Sequence, residues 1–206
     1  MTQIALPLAW PDEGGEGGFL VTASNAQAAR TLEHWAGWPV MAALLIGPPR
    51  SGRSTLARVF AARSGGTVID DAQRQDEAAI FHAWNRAQAE RRPLVVVADA
   101  APPAWAVALP DLRTRLAAGP LATIGPPDDA LVSALLEQGF ARARVDARPD
   151  LIAWLSARAE RSHVSVMHVI DTLVAAALGG HRRLSIPMAR ETLGASATFI
   201  PDTPPS

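Results

Sequence analysis

The chain has 206 residues, of which 49% are hydrophobic, so it can bury one core with a small appended subdomain but cannot hold several independent domains. The formal charge of -1 leaves no global basic surface for non-specific attraction to nucleic acid. The absence of cysteine excludes disulfides, thiolate zinc sites and cysteine nucleophiles, and fits a reducing compartment. We therefore expect a cytoplasmic protein.

The N-terminal segment resembles neither a signal peptide nor a membrane anchor. Residues 1–10 lack a basic region followed by a sustained apolar run. The longest apolar stretch, 93–110, is interrupted by Asp99 and by prolines, so no membrane span is expected. Residues 11–18, PDEGGEGG, predict a flexible linker that isolates 1–10 as a separate tail. Residues 196–206 predict a disordered tail.

Helical and strand-like segments alternate through the first part of the chain. They are a helix over 24–36 capped by Ser24, a strand over 40–46, a helix over 54–63, a strand over 67–70, a helix over 76–91, a strand over 94–98, a helix over 111–117 and a strand over 121–124. Strands that alternate with helices indicate a parallel sheet covered on both faces. The predicted fold is a three-layer α/β base over 19–126.

After the prolines that follow Gly125 the strand signals stop. The remaining segments are all helical, over 128–138, 149–161, 164–178 and 187–193. They predict a small all-helical lid over 127–195.

The sequence Gly47-Pro-Pro-Arg-Ser-Gly52-Arg53-Ser54 follows an apolar strand and opens a helix, which is the context of the phosphate-binding motif G-x-x-x-x-G-K-[ST]. Gly47 and Gly52 allow backbone N–H groups to approach a phosphate, and the helix N-terminus adds partial positive charge. Ser54, followed by Thr55, offers a hydroxyl to Mg²⁺. We expect these residues to bind ADP or ATP.

Arg53 stands where this motif has lysine. Its planar guanidinium clamps phosphate but is longer and less compact than an ammonium, so it should not take the lysine's position between the β and γ phosphates. We expect weakened or altered hydrolysis. The alternative is a decayed loop that binds nothing, in which the two glycines remain only as turn residues.

A pair of carboxylates, Asp70 and Asp71, ends the predicted strand that follows the phosphate-loop helix. Open α/β sheets carry their chemistry at the carboxyl ends of strands. Asp70 would support Mg²⁺ together with Ser54, and Asp71 would orient water. The alternative is that Asp71 only caps the next helix.

The order of these motifs resembles that of the DnaA-type AAA+ replication proteins, and specifically of the short Hda-type regulators among them. The segment 109–116, LPDLRTRL, is similar to the family's arginine-finger box, and 101–105, APPAW, lies where the post-sensor loop belongs. The segment 125–129, GPPDD, matches the opening of the lid. The resemblance covers 19–195 and implies a P-loop AAA+ base followed by a lid.

By this resemblance Arg115 is the arginine finger, reaching across a subunit boundary to the γ-phosphate of a neighbour's ATP. Arg113 is the second candidate, and a solvated helix charge is the alternative for both. Asp99 stands at the sensor position of its strand. The lid has no arginine at the position aligned with the second sensor, which leaves Arg161 as a substitute.

The N-terminal sequence Gln3-Ile-Ala-Leu6-Pro-Leu8 is similar to the family's sliding-clamp-binding peptide, Q-x-x-L-x-L. Gln3 would hydrogen-bond in a groove of the clamp, while Leu6 and Leu8 would anchor in an apolar pocket. The alternative is a disordered start in which two leucines occur by chance.

The chain departs from the family in length as well as in its sensors. Only 64–67 separate the phosphate-loop helix from the acidic strand, so a strand and a helix usual in the family are missing and the sheet should be smaller. The chain also ends shortly after its lid, so we expect no sequence-specific DNA binding.

His163 and His168 do not share one helical face, so a metal pair there is not expected. The six tryptophans are interpreted as packing residues.

The resemblance implies a regulator that binds the DNA polymerase sliding clamp and stimulates hydrolysis of ATP bound to the initiator DnaA. Replication initiation would thereby be restrained. The competing hypotheses are an autonomous P-loop ATPase with a clamp-loader-like role, and a nucleotide-free structural AAA+ paralogue. Whether the chain forms a homo-oligomer and whether the partner is DnaA or another AAA+ protein are left open.

Overall fold

The protein is described by a computed structural model, which covers residues 8–10, 18–180 and 183–194. These residues divide into two compact units, one of Leu8–Gly125 and one that begins at Pro126. The predicted division lies after residue 126. The predicted tail over 196–206 lies outside the described residues.

The first unit contains the alternating elements. They are β1 (Leu8–Trp10), β2 (Phe19–Val21), α1 (Ala26–Glu33), β3 (Ala42–Ile46), α2 (Arg53–Ser64), β4 (Thr67–Ile69), α3 (Glu77–Glu90), β5 (Leu94–Ala98), α4 (Pro110–Ala118) and β6 (Leu121–Thr123). Each predicted strand and helix of the base is present, with ends that differ by at most three residues.

Four parallel strands form the main sheet, in the order β4-β5-β3-β6. Only two residues separate α2 from β4, and the main sheet has four strands in the part of the chain that the structure describes. Strand β3 is paired on both sides, with Leu44 opposite Val96 of β5 and opposite Leu121 of β6. The loop that begins at Gly47 thus leaves from the carboxyl end of a central strand.

The alternation of side chains along β5 explains the three layers. Val95 and Val97 pack on one face of the sheet in a cluster with residues of α1 and α2. Leu94 and Val96 pack on the other face with residues of α3 and α4. All of β5 is buried, as is usual for a parallel strand covered on both faces. This confirms the predicted three-layer α/β base.

The sequence predicts a separate tail over 1–10, but residues 8–10 pair with a strand of the base. Strand β1 pairs antiparallel with β2, with Leu8 opposite Val21 and Trp10 opposite Phe19. The stretch predicted as a linker therefore connects two paired strands. Strand β2 is not predicted from the sequence because a three-residue apolar run next to a glycine-rich stretch carries almost no periodic signal.

The cap of α1 is also predicted wrongly. The helix begins at Ala26 after Asn25, not at Ser24. The buried Asn25 side chain accepts from the Thr22 amide at 2.8 Å and donates to the Leu20 carbonyl at 2.8 Å. Asn25 thus joins the end of β2 to the start of α1, a pairing that the sequence does not reveal.

The second unit contains the helices α5 (Asp129–Arg142), α6 (Pro149–Arg158), α7 (His163–Gly180) and α8 (Ile186–Leu193). This confirms an all-helical segment after the sheet. Among the described residues only α7 is long and apolar enough, by length and composition, to cross a membrane. Its Val166, Val169, Ile170 and Leu173 are buried in the core of the helical unit, as in the central helix of a bundle.

Gly119 provides a test of how tightly the base is packed. A Cβ at this position would overlap the Ala42 carbonyl oxygen at the start of β3, and neither backbone can move without disturbing the sheet. Gly119→Ala is expected to lower the free energy of unfolding by about 1–3 kcal/mol, measured by urea denaturation. Gly37→Ala is the matched control, since no atom lies within 4 Å of its added Cβ, and it should change stability by less than about 0.5 kcal/mol. Equal stabilities of the two variants would contradict this packing.

Candidate nucleotide site and arginine finger

The phosphate loop ends in a helix whose first turn has no side-chain cap. Gly52 adopts φ 86° and ψ 14°, a left-handed conformation that glycine enters at little cost, and α2 begins at the next residue. The N–H groups of a first helical turn need acceptors from outside the helix. An uncapped N-terminus after a glycine turn is therefore suited to bind an anion.

Both glycines of the loop are packed closely against neighbouring residues. A Cβ at Gly47 would lie 3.0 Å from Ile124 Cβ, next to β6, and one at Gly52 would lie 3.1 Å from the ring of Phe19. Ser51, between them, is only 6% exposed, and its Oγ has no hydrogen-bond partner among the described residues. A buried hydroxyl without a partner is uncommon, which makes this loop the natural place for a ligand oxygen.

The side chain of Arg53 binds two groups of the same chain, at Ala98 and Asp99. Its guanidinium donates to the Ala98 carbonyl at 2.5 Å and forms an ion pair with Asp99 Oδ1 at 2.6 Å. The Arg53 side chain is 11% exposed, whereas that of Asp99 is 51% exposed. The structure therefore brings together two predicted site residues, the phosphate-loop cation and the sensor aspartate, as partners of each other.

Gln73, which is not among the predicted site residues, also bonds Asp99. Its Nε2 donates to Asp99 Oδ2 at 3.0 Å, so each carboxylate oxygen of Asp99 has one donor. Gln73 lies in the short 3₁₀ turn of Ala72–Arg74 after the acidic strand. Its position two residues beyond Asp71 was visible in the sequence, but its contact with Asp99 was not.

The acidic pair stands at the end of β4, as predicted. Asp70 Oδ1 accepts from the Asp71 amide at 3.0 Å, and Asp71 adopts a left-handed conformation with φ 47°. Asp71 caps no helix through its side chain, whereas Asp76 caps α3 by accepting from Ala78 and Ala79. The alternative role of Asp71 as a helix cap is therefore not observed.

The hydroxyl residues at the start of α2 differ in exposure. Ser54 is exposed, and Thr55, partly buried, accepts from Arg58 at 3.4 Å. Across the described ranges no group of three or more His, Cys, Asp or Glu side chains could hold a metal ion. Mg²⁺ at Ser54 and Asp70 would thus need phosphate oxygens or water as its other ligands.

Arg115 lies on α4 and is partly buried against α3 of the same unit. Its guanidinium carbon is 4.1 Å from the ring centroid of Phe81 and 4.7 Å from that of Trp84, and its Nη1 donates to Asn85 Oδ1. Arg113, the second candidate, is exposed and donates to the Val107 carbonyl at 3.1 Å. Of the two arginines, only Arg115 has its guanidinium fixed by side chains of another helix.

Arg161 contacts other residues of the helical unit. It donates to the carbonyls of Ser156 and Ala159 at the end of α6 and forms an ion pair with Asp129 at 2.7 Å. These bonds join the C-terminus of α6 to the first residue of α5. They give Arg161 a structural role, and its role as a substitute sensor stays a prediction.

The predicted clamp-binding residues lie at the edge of the described structure. Gln3 and Leu6 fall outside the described residues. Leu8 is the first residue of β1, and its backbone is paired with Val21.

The sequence of this chain was compared with those of known proteins. No family model matches the chain. In sequence it is 29% identical over 118 residues to an uncharacterized protein of Haemophilus influenzae. The matched region is 57% of this chain and 51% of that protein, so the chain matches about half the length of this curated relative.

The structural likenesses are more extensive. Domain III of the Thermotoga maritima replication initiation protein DnaA has a TM-score of 0.72 at 13% identity, covering 85% of this chain and 93% of that chain. The Thermotoga maritima RuvB Holliday junction branch migration motor has a TM-score of 0.61 at 15% identity, with coverages of 82% and 67%. AMPPCP-bound DnaA from Aquifex aeolicus has a TM-score of 0.57 at 15% identity, with coverages of 79% and 65%. The chain therefore has a DnaA-like AAA+ fold.

Proposed function

We propose that this chain is a short Hda-type regulator that stimulates the hydrolysis of ATP bound to the initiator DnaA while docked on the DNA polymerase sliding clamp. The observation that carries the proposal is the contrast between its two site arginines. Arg53 in the phosphate loop is neutralised by Asp99 of the same chain, whereas Arg115 is fixed on an aromatic surface beside α4. This distribution suits catalysis on a neighbour's nucleotide rather than on its own.

The nucleotide part of the proposal rests on the loop itself. Three features of the loop together favour a phosphate ligand: the uncapped start of α2, the left-handed Gly52, and a Ser51 hydroxyl that has no partner within the described ranges. Likeness to an AMPPCP-bound DnaA supports an adenine nucleotide. We propose that ADP or ATP, with Mg²⁺ when Ser54 and Asp70 take part, holds the loop in shape and turns over slowly.

The Arg53–Asp99 pair also favours a second candidate, a structural AAA+ module without nucleotide. In that case the Asp99 carboxylate is the permanent anionic partner of Arg53, in the place that a nucleotide phosphate takes in a loop that binds nucleotide. Protection against thermal unfolding separates the two, since a ligand that binds only the folded state at 100 times its Kd stabilises it by about 2.7 kcal/mol. An autonomous ATPase is disfavoured, because its loop cation would have to leave Asp99 in every cycle.

The deciding experiment is a reconstituted assay with purified DnaA, labelled ATP, DNA and the loaded clamp. DnaA with clamp alone sets the basal rate of hydrolysis, and addition of this chain is expected to raise it. The chain alone with ATP is the control for its own turnover. Hydrolysis that is independent of DnaA would favour the autonomous ATPase, and no change in rate on addition of the chain would refute the proposal.

The tail provides a prediction about the clamp. Gln3→Ala is expected to raise the concentration of the chain needed for half-maximal stimulation about tenfold, because it removes one polar anchor of a short extended peptide. The maximal rate should stay within about twofold of wild type. Thr2→Ala is the neighbouring control, and equal curves for both variants would argue against docking through Gln3.

A further inference from the structure

One face of α3 contacts the segment that carries the finger. Glu77, Phe81, Trp84 and Asn85 are spaced at i, i+4, i+7 and i+8, so they follow a single stripe along the helix. Each of them touches a group between residues 108 and 115. Glu77 contacts the start of α4, and Trp84 lies against the Arg115 guanidinium.

Glu77 attaches the start of α4 to the start of α3. Its carboxylate accepts from the Ala108 amide at 2.9 Å and from the Leu109 amide at 2.7 Å. Leu109 is the N-cap residue of α4 and provides no side-chain acceptor. The carboxylate therefore satisfies two amides just before the helix and places negative charge near its N-terminus, where the helix dipole favours it.

Trp84 contacts the guanidinium of Arg115. A guanidinium presents a planar face to an aromatic ring, while its N–H donors project from its edge. The Arg115 guanidinium carbon lies over the Trp84 ring at 4.7 Å from its centroid. Of the guanidinium's N–H donors, Nη1 bonds Asn85, so others can reach a phosphate. The indole N–H of Trp84 has no partner among the described residues, so the ring is held by packing and another ring can replace it.

We infer that Glu77 and Trp84 are positioning residues for Arg115, Glu77 by fixing the origin of α4 and Trp84 by holding the guanidinium plane. This inference rests on the proposed function, because Arg115 is the finger only in that function. A long arginine side chain has many rotamers in solution, and restricting them before the partner arrives removes part of the cost of reaching the transition state. Loss of either support should lower the rate at saturation rather than the affinity for the partner.

The kinetic test uses Glu77→Gln and Trp84→Leu in the reconstituted hydrolysis assay. Each is expected to lower the maximal stimulated rate by about three- to tenfold, with the half-saturating concentration of the chain within about twofold of wild type. Trp84→Phe should recover most of the lost rate, since it restores an aromatic face. The matched controls are Glu90→Gln, at the exposed end of α3, and Trp154→Leu, which removes a tryptophan that stacks on Arg158 in the helical unit.

A second readout does not depend on DnaA. In the free chain, the Nε–Hε proton signal of Arg115, assigned by its loss in Arg115→Ala, should be shifted upfield by ring currents and should move downfield in Trp84→Leu. An unshifted signal in the wild-type chain would overturn the inference. Thermal unfolding of each variant identifies any loss of rate that comes from loss of fold.

The outcomes of the two tests are distinguishable. If the wild-type chain stimulates hydrolysis and Arg115→Ala does not, but Glu77→Gln and Trp84→Leu both match wild type, the positioning role is wrong and the proposed function stands. If the wild-type chain gives no stimulation, the proposed function fails and the positioning role fails with it. Lower maximal rates with rescue by Trp84→Phe support both.

Discussion

Arg115→Ala is expected to lower the DnaA-dependent rate of ATP hydrolysis by about 10³-fold or more, returning it to the rate with clamp alone. The finger neutralises charge that develops on the transferred phosphoryl group, so its loss acts on the transition state and not on the affinity of the partners. The measurement is the initial rate over a range of chain concentrations. Binding of the variant to the loaded clamp should be unchanged.

Arg113→Ala is the matched control for this variant. Arg113 lies on the same helix two residues earlier, is exposed, and donates to the Val107 carbonyl. Its removal subtracts the same charge from α4 but should leave the maximal rate within about threefold of wild type. A loss of stimulation in Arg113→Ala with normal activity in Arg115→Ala would assign the finger to Arg113 instead.

Arg115→Lys separates charge from geometry. Lysine keeps the positive charge but lacks the planar fork that stacks on Phe81 and Trp84 and hydrogen-bonds Asn85. We expect most of the stimulation to be lost. Full activity of this variant would mean that charge alone acts, and that the aromatic surface contributes nothing to the finger.

The sequence predicts this fold well where a local pattern coincides with burial. Strand β5 is five consecutive apolar residues between a proline and an aspartate, and it is observed with the predicted bounds. The loop from Gly47 to Ser54 and the acids after β4 are also where the motifs place them. In each case the information lies within eight neighbouring residues, which is the distance over which side-chain period and backbone preference act.

What the sequence could not predict are contacts between distant residues. Asp99 is 46 residues from Arg53, and Glu77 is 32 residues from Leu109. Such pairs depend on the order of strands in the sheet and on the packing of α3 against α4. The antiparallel pairing of Leu8–Trp10 with Phe19–Val21 is similarly invisible, since each strand is only three residues long.

The composition changes the interpretation of Arg53. All 19 basic residues of the chain that carry a permanent charge are arginines, and lysine is absent. Arginine therefore takes the place of lysine throughout this sequence, and not only in the phosphate loop. The replacement of the motif's lysine by Arg53 alone does not identify an inactive site. The stronger argument for slow turnover is structural, because the guanidinium is bound to Ala98 and Asp99.

Arg53→Ala is expected to weaken ADP binding by about 10- to 100-fold, since hydrogen bonds to a charged group contribute about 1.5–3 kcal/mol each. The measurement is the increase in the midpoint of thermal unfolding over a range of ADP concentrations. Each variant is compared with itself without ADP, because Arg53→Ala also removes the bond to the Ala98 carbonyl. Arg63→Ala, at the opposite end of α2, is the control and should keep the wild-type response.

Asp99→Asn determines whether the internal pair competes with phosphate. The amide keeps a polar partner beside Arg53 but removes the negative charge of Asp99. The positive charge of Arg53 is then no longer neutralised within the chain and attracts a ligand phosphate more strongly. We therefore expect ADP to protect Asp99→Asn more strongly than wild type at equal concentration. Weaker protection would mean that Asp99 holds Arg53 in the orientation that phosphate needs. Absence of protection in wild type, Asp99→Asn and Arg63→Ala alike would instead favour the nucleotide-free module, in which Asp99 is the permanent partner of the loop.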